Sequence, residues 1–156
     1  MFVNKSFIDI NNLNKNPIMR TYNIFKHEFG MEPYLLKVSN FKYRNAIAKL
    51  RTSSHDLMIE IGRRGVTRLP QEQRLCKICN VIEDESHFLL SCRLFNTERE
   101  RLLNGLNLRN FNSNESRVSL DTLLNLSEQR HLEMIGQFIN SCFKKRRDCG
   151  VYTDQS

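Results

Sequence analysis

Residues 76–92 read "CKICNVIEDESHFLLSC", and the rest of the chain is read outward from this stretch. It holds three of the five cysteines and one of the four histidines, spaced Cys76-x2-Cys79-x7-His87-x4-Cys92. A Cys-x2-Cys pair can turn back and present both sulfurs to one point. The residues between Cys79 and His87 suffice for a hairpin-like return, and Cys92 follows closely enough to close a fourth corner. Three thiolates and an imidazole form a complete tetrahedral donor set for Zn2+, with no position left open for water. The expected cofactor is one structural Zn2+, whose binding supplies folding free energy of roughly 10 kcal/mol apparent in small zinc peptides. The rival readings are a redox Cys-x2-Cys pair and buried, unligated thiols. Neither has a use for His87 and Cys92 at metal-ligand spacing.

The donor spacing constrains the backbone. On an unbroken α-helix, residues five apart diverge by about 140°. His87 and Cys92 would then face different ways. A helix opening near Glu85, favoured by the acids Glu83, Asp84 and Glu85 at its positive end, must therefore loosen or end around Ser91 and Cys92. Phe88, Leu89 and Leu90 are expected to pack this element onto the rest of the fold.

Upstream the charge is uneven. Residues 37–77 carry ten Lys or Arg against three acids, which accounts for the whole net charge of +7. Such a patch suits a polyanionic partner, and it suits equally a solvated helix face. Arg51, Arg63, Arg64, Arg68, Arg74 and Lys77 are the candidate nucleic-acid contacts. Tyr43 or Phe41 is a candidate for base stacking, although a core role suits each better. For His55, beside Arg51 and Asp56, a local hydrogen bond is a better fit than a phosphate contact.

The remaining pattern is helical. Pro17 opens a stripe of Ile18, Tyr22, Phe25 and Phe29 that ends at Gly30. Pro33 opens a short turn. Asn40 caps a helix whose stripe is Tyr43, Ile47 and Leu50. Over 53–70, "SSHDLMIEIGRRGVTRLP", two glycines and a proline break any helix, and the partial alternation of "HDLMIEIG" allows a short strand or irregular backbone. Downstream, Thr97 and Glu100 have capping-box spacing. "NLRNFNSNESR" is a polar loop, and Ser119 and Ser127 open two further helices. The last helix carries Leu132, Ile135, Ile139, Cys142 and Phe143 on one side, so Cys142 reads as core. Lys144–Arg147 suits either a nuclear-localisation signal or cations at a helix C-terminus. Cys149 has no assigned role. His27 and His131 read as surface or boundary residues.

At 156 residues the chain has the length of one ordinary domain. The fold expected is mostly α: a small helical domain with one irregular zinc-bound knuckle. Its parts are a weakly ordered lead-in (1–16), a basic helical region (17–70), the knuckle and following helix (71–105), C-terminal helices (106–147) and a tail (148–156). No apolar run has bilayer-spanning length and "MFVNKSFIDINN" lacks a signal-peptide pattern. The expected location is nuclear or cytoplasmic, where clustered cysteines mean metal or redox chemistry rather than disulfides.

The run from Tyr43 to Leu103 resembles the zinc-binding region at the C-terminal end of non-LTR (LINE-type) retrotransposon reverse transcriptases. The positions that carry the likeness begin with Leu50, Arg51, Ser54, His55, Leu57, Ile59, Glu60, Gly62 and Arg63. They continue with Pro70, Arg74, Cys76 and Cys79, and end with Glu83, Asp84, Glu85, His87, Phe88, Leu89 and Cys92. "RTYNIFKHEFGMEPYL", from Arg20 to Leu35, resembles the segment that precedes it, so the likeness spans roughly residues 18–105. It implies a zinc-stabilised accessory module that helps a polymerase hold RNA or DNA by its backbone. That family's polymerase site carries an Asp-Asp pair and a related nuclease begins with Pro-Asp. Neither dipeptide occurs in this sequence. The expectation is a non-catalytic, nucleic-acid-binding CCHC knuckle, as a fragment or co-opted piece, with a reverse transcriptase as a candidate partner. No membrane and no small-molecule substrate is expected. The alternative is a structural or protein-interaction zinc module that binds no nucleic acid.

Overall fold

A computed structural model describes Tyr22, Lys26, residues 30–64, Val66, and residues 68–108 and 119–152. The helix expected over 17–30 lies outside the described residues apart from Tyr22, Lys26 and Gly30. So do the lead-in, most of the polar loop after Asn107 and the end of the tail. The described residues form a small, mostly α-helical domain with no strand ladder among them.

Six α-helices are present among the described residues: α1 (Pro33–Lys37), α2 (Phe41–Arg51), α3 (Met58–Arg64), α4 (Asn96–Gly105), α5 (Leu120–Leu124) and α6 (Gln129–Asp148). Between α3 and α4 the chain makes a 3-10 turn at Gln71–Gln73, a hairpin, a π-helical segment at His87–Ser91 and a second 3-10 turn at Arg93–Phe95.

The long helix α6 is the spine. Leu132, Ile135, Phe138, Ile139 and Cys142 recur at helical spacing on its buried face, and α1, α2 and α4 all lie against it. From α2 come Ala46, Ile47 and Leu50, and from α4 comes Leu102. Each fully buried Leu, Ile or Phe contributes on the order of 2 kcal/mol. Gly136 lets α2 approach closely: a Cβ there would lie 2.7 Å from Tyr43 Cβ and 3.2 Å from Tyr43 O. Cys142 is wholly buried, as its place in the stripe predicts.

Local caps follow the sequence in part. Asn40 accepts from the Lys42 N–H, and Ser119 accepts from the Thr122 N–H. The capping box at Thr97 does not form, because the helix already begins at Asn96 and Thr97 lies inside it. The last helix has Glu128, not Ser127, at its N-cap. Phe41 is 68 % exposed rather than core, since the buried face of α2 runs through Ala46, Ile47, Leu50 and Arg51.

The segment read as strand or irregular backbone contains α3. The reason lies elsewhere in the chain: the Glu83 carboxylate accepts from the Met58 N–H at 2.7 Å, and its carbonyl accepts from the Ile59 N–H at 3.1 Å. A carboxylate at a helix N-terminus satisfies orphan donors and matches the helix dipole. Before α3 the chain leaves α2 through Ser53, in the left-handed region at φ 52°. The Ser53 N–H donates to Leu50 O and the Ser54 N–H to Lys49 O, the pattern that normally selects glycine. Ser53 tolerates it with its hydroxyl on Glu85 and its carbonyl accepting from Arg64.

Candidate metal centre

Each donor of the Cys/His cluster is placed by a distinct local device. Leu75 and Ile82 pair as an isolated antiparallel bridge. Inside it, the Cys76 N–H donates to Val81 O at 2.7 Å and the Asn80 N–H to Cys76 O at 2.8 Å. Asn80 takes the left-handed conformation, φ 57°, which Asn tolerates better than most residues. This knuckle turns Cys76 and Cys79 toward the same point.

The predicted conflict between His87 and Cys92 is resolved by widening the helix. After Glu85 and Ser86 the backbone becomes π-helical over His87–Ser91, and the Cys92 N–H donates to His87 O at 2.8 Å, an i→i+5 bond. The wider turn returns the fifth residue to nearly the same face, and such turns recur at functional sites. Cys92 itself is extended (φ −61°, ψ 123°), ending the element at the expected place. Arg99 of α4 holds this backbone, donating to Leu89 O at 2.8 Å and Cys92 O at 2.9 Å. Phe88 and Leu89 are buried, with Phe88 stacked 4.6 Å from Phe143 and edge-on to Phe95, while Leu90 is only half-buried.

The outcome is convergence. One donor atom from each of Cys76, Cys79, His87 and Cys92 lies within 4.8 Å of every other. Cys92 Sγ is 3.9 Å from both Cys76 Sγ and Cys79 Sγ. A tetrahedron with Zn–S bonds of about 2.3 Å has sulfur–sulfur edges of about 3.8 Å. His87 Nδ1 lies 3.1 Å from Ser91 Oγ, and the Ser91 hydroxyl donates to His87 O. With its own proton on that carbonyl, the serine oxygen can accept from Nδ1–H, an arrangement that leaves the Nε2 lone pair available, as a metal ligand requires. That Nε2 is buried and has no hydrogen-bond partner among the described residues. A buried nitrogen normally finds a partner, so its isolation beside three sulfurs fits a cation.

The electrostatics agree. The contact with Cys92 pulls the Cys76 thiol well below its ordinary pKa against the cost of burial. The same contact with Cys76, together with burial, pushes the Cys92 thiol far up. One thiolate forms readily here and a second is resisted. A dication would relieve that resistance. The Arg93 N–H donates to Cys79 Sγ at 3.4 Å, and the Tyr152 hydroxyl lies 3.6 Å from Cys76 Sγ.

A second group of residues ties this centre to the spine. Glu83, on the return arm of the hairpin, forms a buried two-bond ion pair with Arg146 of α6 and accepts from Tyr152 Oη at 2.8 Å. Burial opposes the charge on Arg146, but the Glu83 carboxylate outweighs it and holds the guanidinium above its ordinary pKa. The Tyr152 ring lies 3.6 Å from that guanidinium. Arg146 is thus a core residue within the 144–147 basic run. Cys149 donates to Arg146 O at 3.0 Å. His55 is buried against Glu85, 2.9 Å away, rather than facing solvent. The tethering roles of Tyr152, Arg99 and Glu83 are not legible in the sequence, because their partners lie up to 76 residues away.

Five of the six predicted phosphate contacts make hydrogen bonds within the fold. Arg51 is corrected: it is 4 % exposed, with its guanidinium on Glu32 and Leu124 O, so it is a buried structural cation. Arg63 is paired with Glu60, and Arg64, about half exposed, with Glu60 and Ser53 O. Arg74 packs on Gly62 and donates to Leu69 O and Ile59 O. Lys77 donates to Val151 O and lies 5.5 Å from the Tyr152 ring. Arg68 is exposed and makes no hydrogen bond or ion pair among the described residues.

No family model matches this chain, and no match is found among curated proteins or solved structures. No helix among the described residues is long and apolar enough to cross a membrane.

Proposed function

We propose that this chain is a zinc-stabilised, non-catalytic module that binds nucleic acid by its backbone, of the kind that accompanies non-LTR reverse transcriptases. The observation that carries the metal part is the convergence of Cys76, Cys79, His87 and Cys92 around a buried, unpartnered imidazole nitrogen. Cys76, Cys79, Cys92 and His87 would hold the ion, which supplies a cross-link between hairpin and helix rather than chemistry. Four protein donors leave no position for a reacting water. The nucleic-acid part is supported by the net charge of +7 and by the residue pattern shared with that family from Leu50 to Cys92.

The test is metal analysis of the purified chain with a nucleic-acid titration at two salt concentrations. One zinc per chain is expected, and single-strand affinity falling with log salt at a slope of roughly −0.7 per phosphate contact. Absence of bound zinc would remove the metal reading. Absence of any salt-sensitive binding would remove the nucleic-acid reading.

A second reading has a specific observation behind it. Five of the six predicted contacts, all except Arg68, make hydrogen bonds within the fold. If the basic residues serve only internal pairing, the module binds a protein or merely completes a larger fold, and zinc analysis alone would succeed.

A further inference from the structure

Where the predicted arginines turn inward, a different set of cations faces out. α2 and α6 lie side by side, and a groove of about 200 Å³ opens along one side of their contact. Lys42, Asn45 and Lys49 stand on the α2 wall at spacings of three and four, one helical stripe. Asn140 and Arg147 stand on the α6 wall at a spacing of seven. The side chains of Lys42, Lys49 and Arg147 make no hydrogen bond or ion pair among the described residues. At the end of the groove sits Phe41, 68 % exposed, with the Arg44 guanidinium 5.9 Å from its ring centroid. Asp56 is the acid among the lining residues.

We infer that this groove is a binding site for single-stranded nucleic acid, with an unpaired base stacked on Phe41 and the strand's phosphates on Lys42, Lys49 and Arg147. The inference deepens the proposed function and rests on it. A large exposed aromatic ring costs solvation unless something covers it, and a base offers a flat face to any ring. Unpaired cations flanking an aromatic platform are the two components of sequence-tolerant single-strand binding. Asp56 and the two asparagines supply acceptors and donors for a base edge.

The experiment uses the full zinc-loaded chain and a fluorescently labelled oligo-dT of about 15 nucleotides, within the site sizes of such proteins, read by anisotropy beside the matching duplex. Phe41→Ala is expected to weaken oligo-dT binding about tenfold, the value of one base stack, with Phe41→Trp restoring it. Lys42→Glu with Lys49→Glu and Arg147→Glu is expected to abolish binding. These side chains are exposed, so zinc content and circular dichroism should match the parent. Wild-type binding that is indifferent to all these changes overturns the groove assignment while leaving the proposed function standing. Duplex binding as tight as oligo-dT and equally sensitive to Phe41→Ala overturns the single-strand assignment. No binding of either nucleic acid overturns both.

Discussion

Glu83 and Arg146, 63 residues apart, meet as a buried two-bond ion pair: Arg146 Nε lies 2.9 Å from one carboxylate oxygen and a terminal nitrogen 2.7 Å from the other. Both side chains are almost wholly enclosed. The same carboxylate takes the Met58 N–H and the Tyr152 hydroxyl. One residue of the hairpin that carries Cys76 and Cys79 therefore holds the start of α3, the end of α6 and the turn at Tyr152.

Removing one partner of such a pair leaves an uncompensated buried charge. Glu83→Gln should destabilise the chain by about 3–5 kcal/mol, read as a lowered urea midpoint with zinc present. A shift worth less than about 0.5 kcal/mol, the range of an ordinary surface substitution, would show that the pair is not needed.

The Ser91 hydroxyl lies 3.1 Å from His87 Nδ1, placed to orient the ring. Ser91→Ala should lower zinc affinity by about 10- to 100-fold, as loss of such supporting hydrogen bonds does. Competition with a chelating dye measures it. Unchanged affinity would mean that His87 keeps its orientation without the serine.

Thiol chemistry separates the five cysteines. Burial raises the Cys142 thiol far above its usual pKa, and the thiolate is the reactive form. In native zinc-loaded protein, iodoacetamide should modify Cys149 and spare Cys142. After chelation Cys76, Cys79 and Cys92 should become labelled as well, by mass spectrometry. Rapid labelling of Cys76, Cys79 and Cys92 with the metal bound would contradict the closed centre.

Gly136 makes the close approach of α2 possible. Gly136→Ala gains about 1 kcal/mol of helix propensity but forces the new methyl against Tyr43, including its backbone oxygen. Overpacking costs about 1–3 kcal/mol, so the net expectation is a loss of about 1 kcal/mol by chemical denaturation. A gain in stability would show that α2 can shift without cost.

Features set by near neighbours in the chain follow directly from the sequence. The four donors lie within seventeen residues, so their spacing already limits how they can meet. The helix break demanded by His87 and Cys92 is present, as a widened π turn. Asn40 and Ser119 cap as expected because a cap acts on backbone two or three residues away. A helix forms at Met58–Arg64, where strand or irregular backbone is expected, because Glu83, more than twenty positions downstream, caps it. The phosphate role of Arg51 failed because its partners are Glu32 and Leu124, on either side in sequence and remote from it.

The sequence by itself determined the mostly helical class and which three cysteines and one histidine cluster, since both depend on periodicity and short-range spacing. Only the tertiary structure decided which cations are buried, that Glu83 rather than a nearby cap starts α3, and that Lys42, Lys49 and Arg147 share a groove with Phe41. The reason is physical. A charge's role depends on what packs beside it, and that is chosen by the burial of distant apolar faces, which no local pattern records.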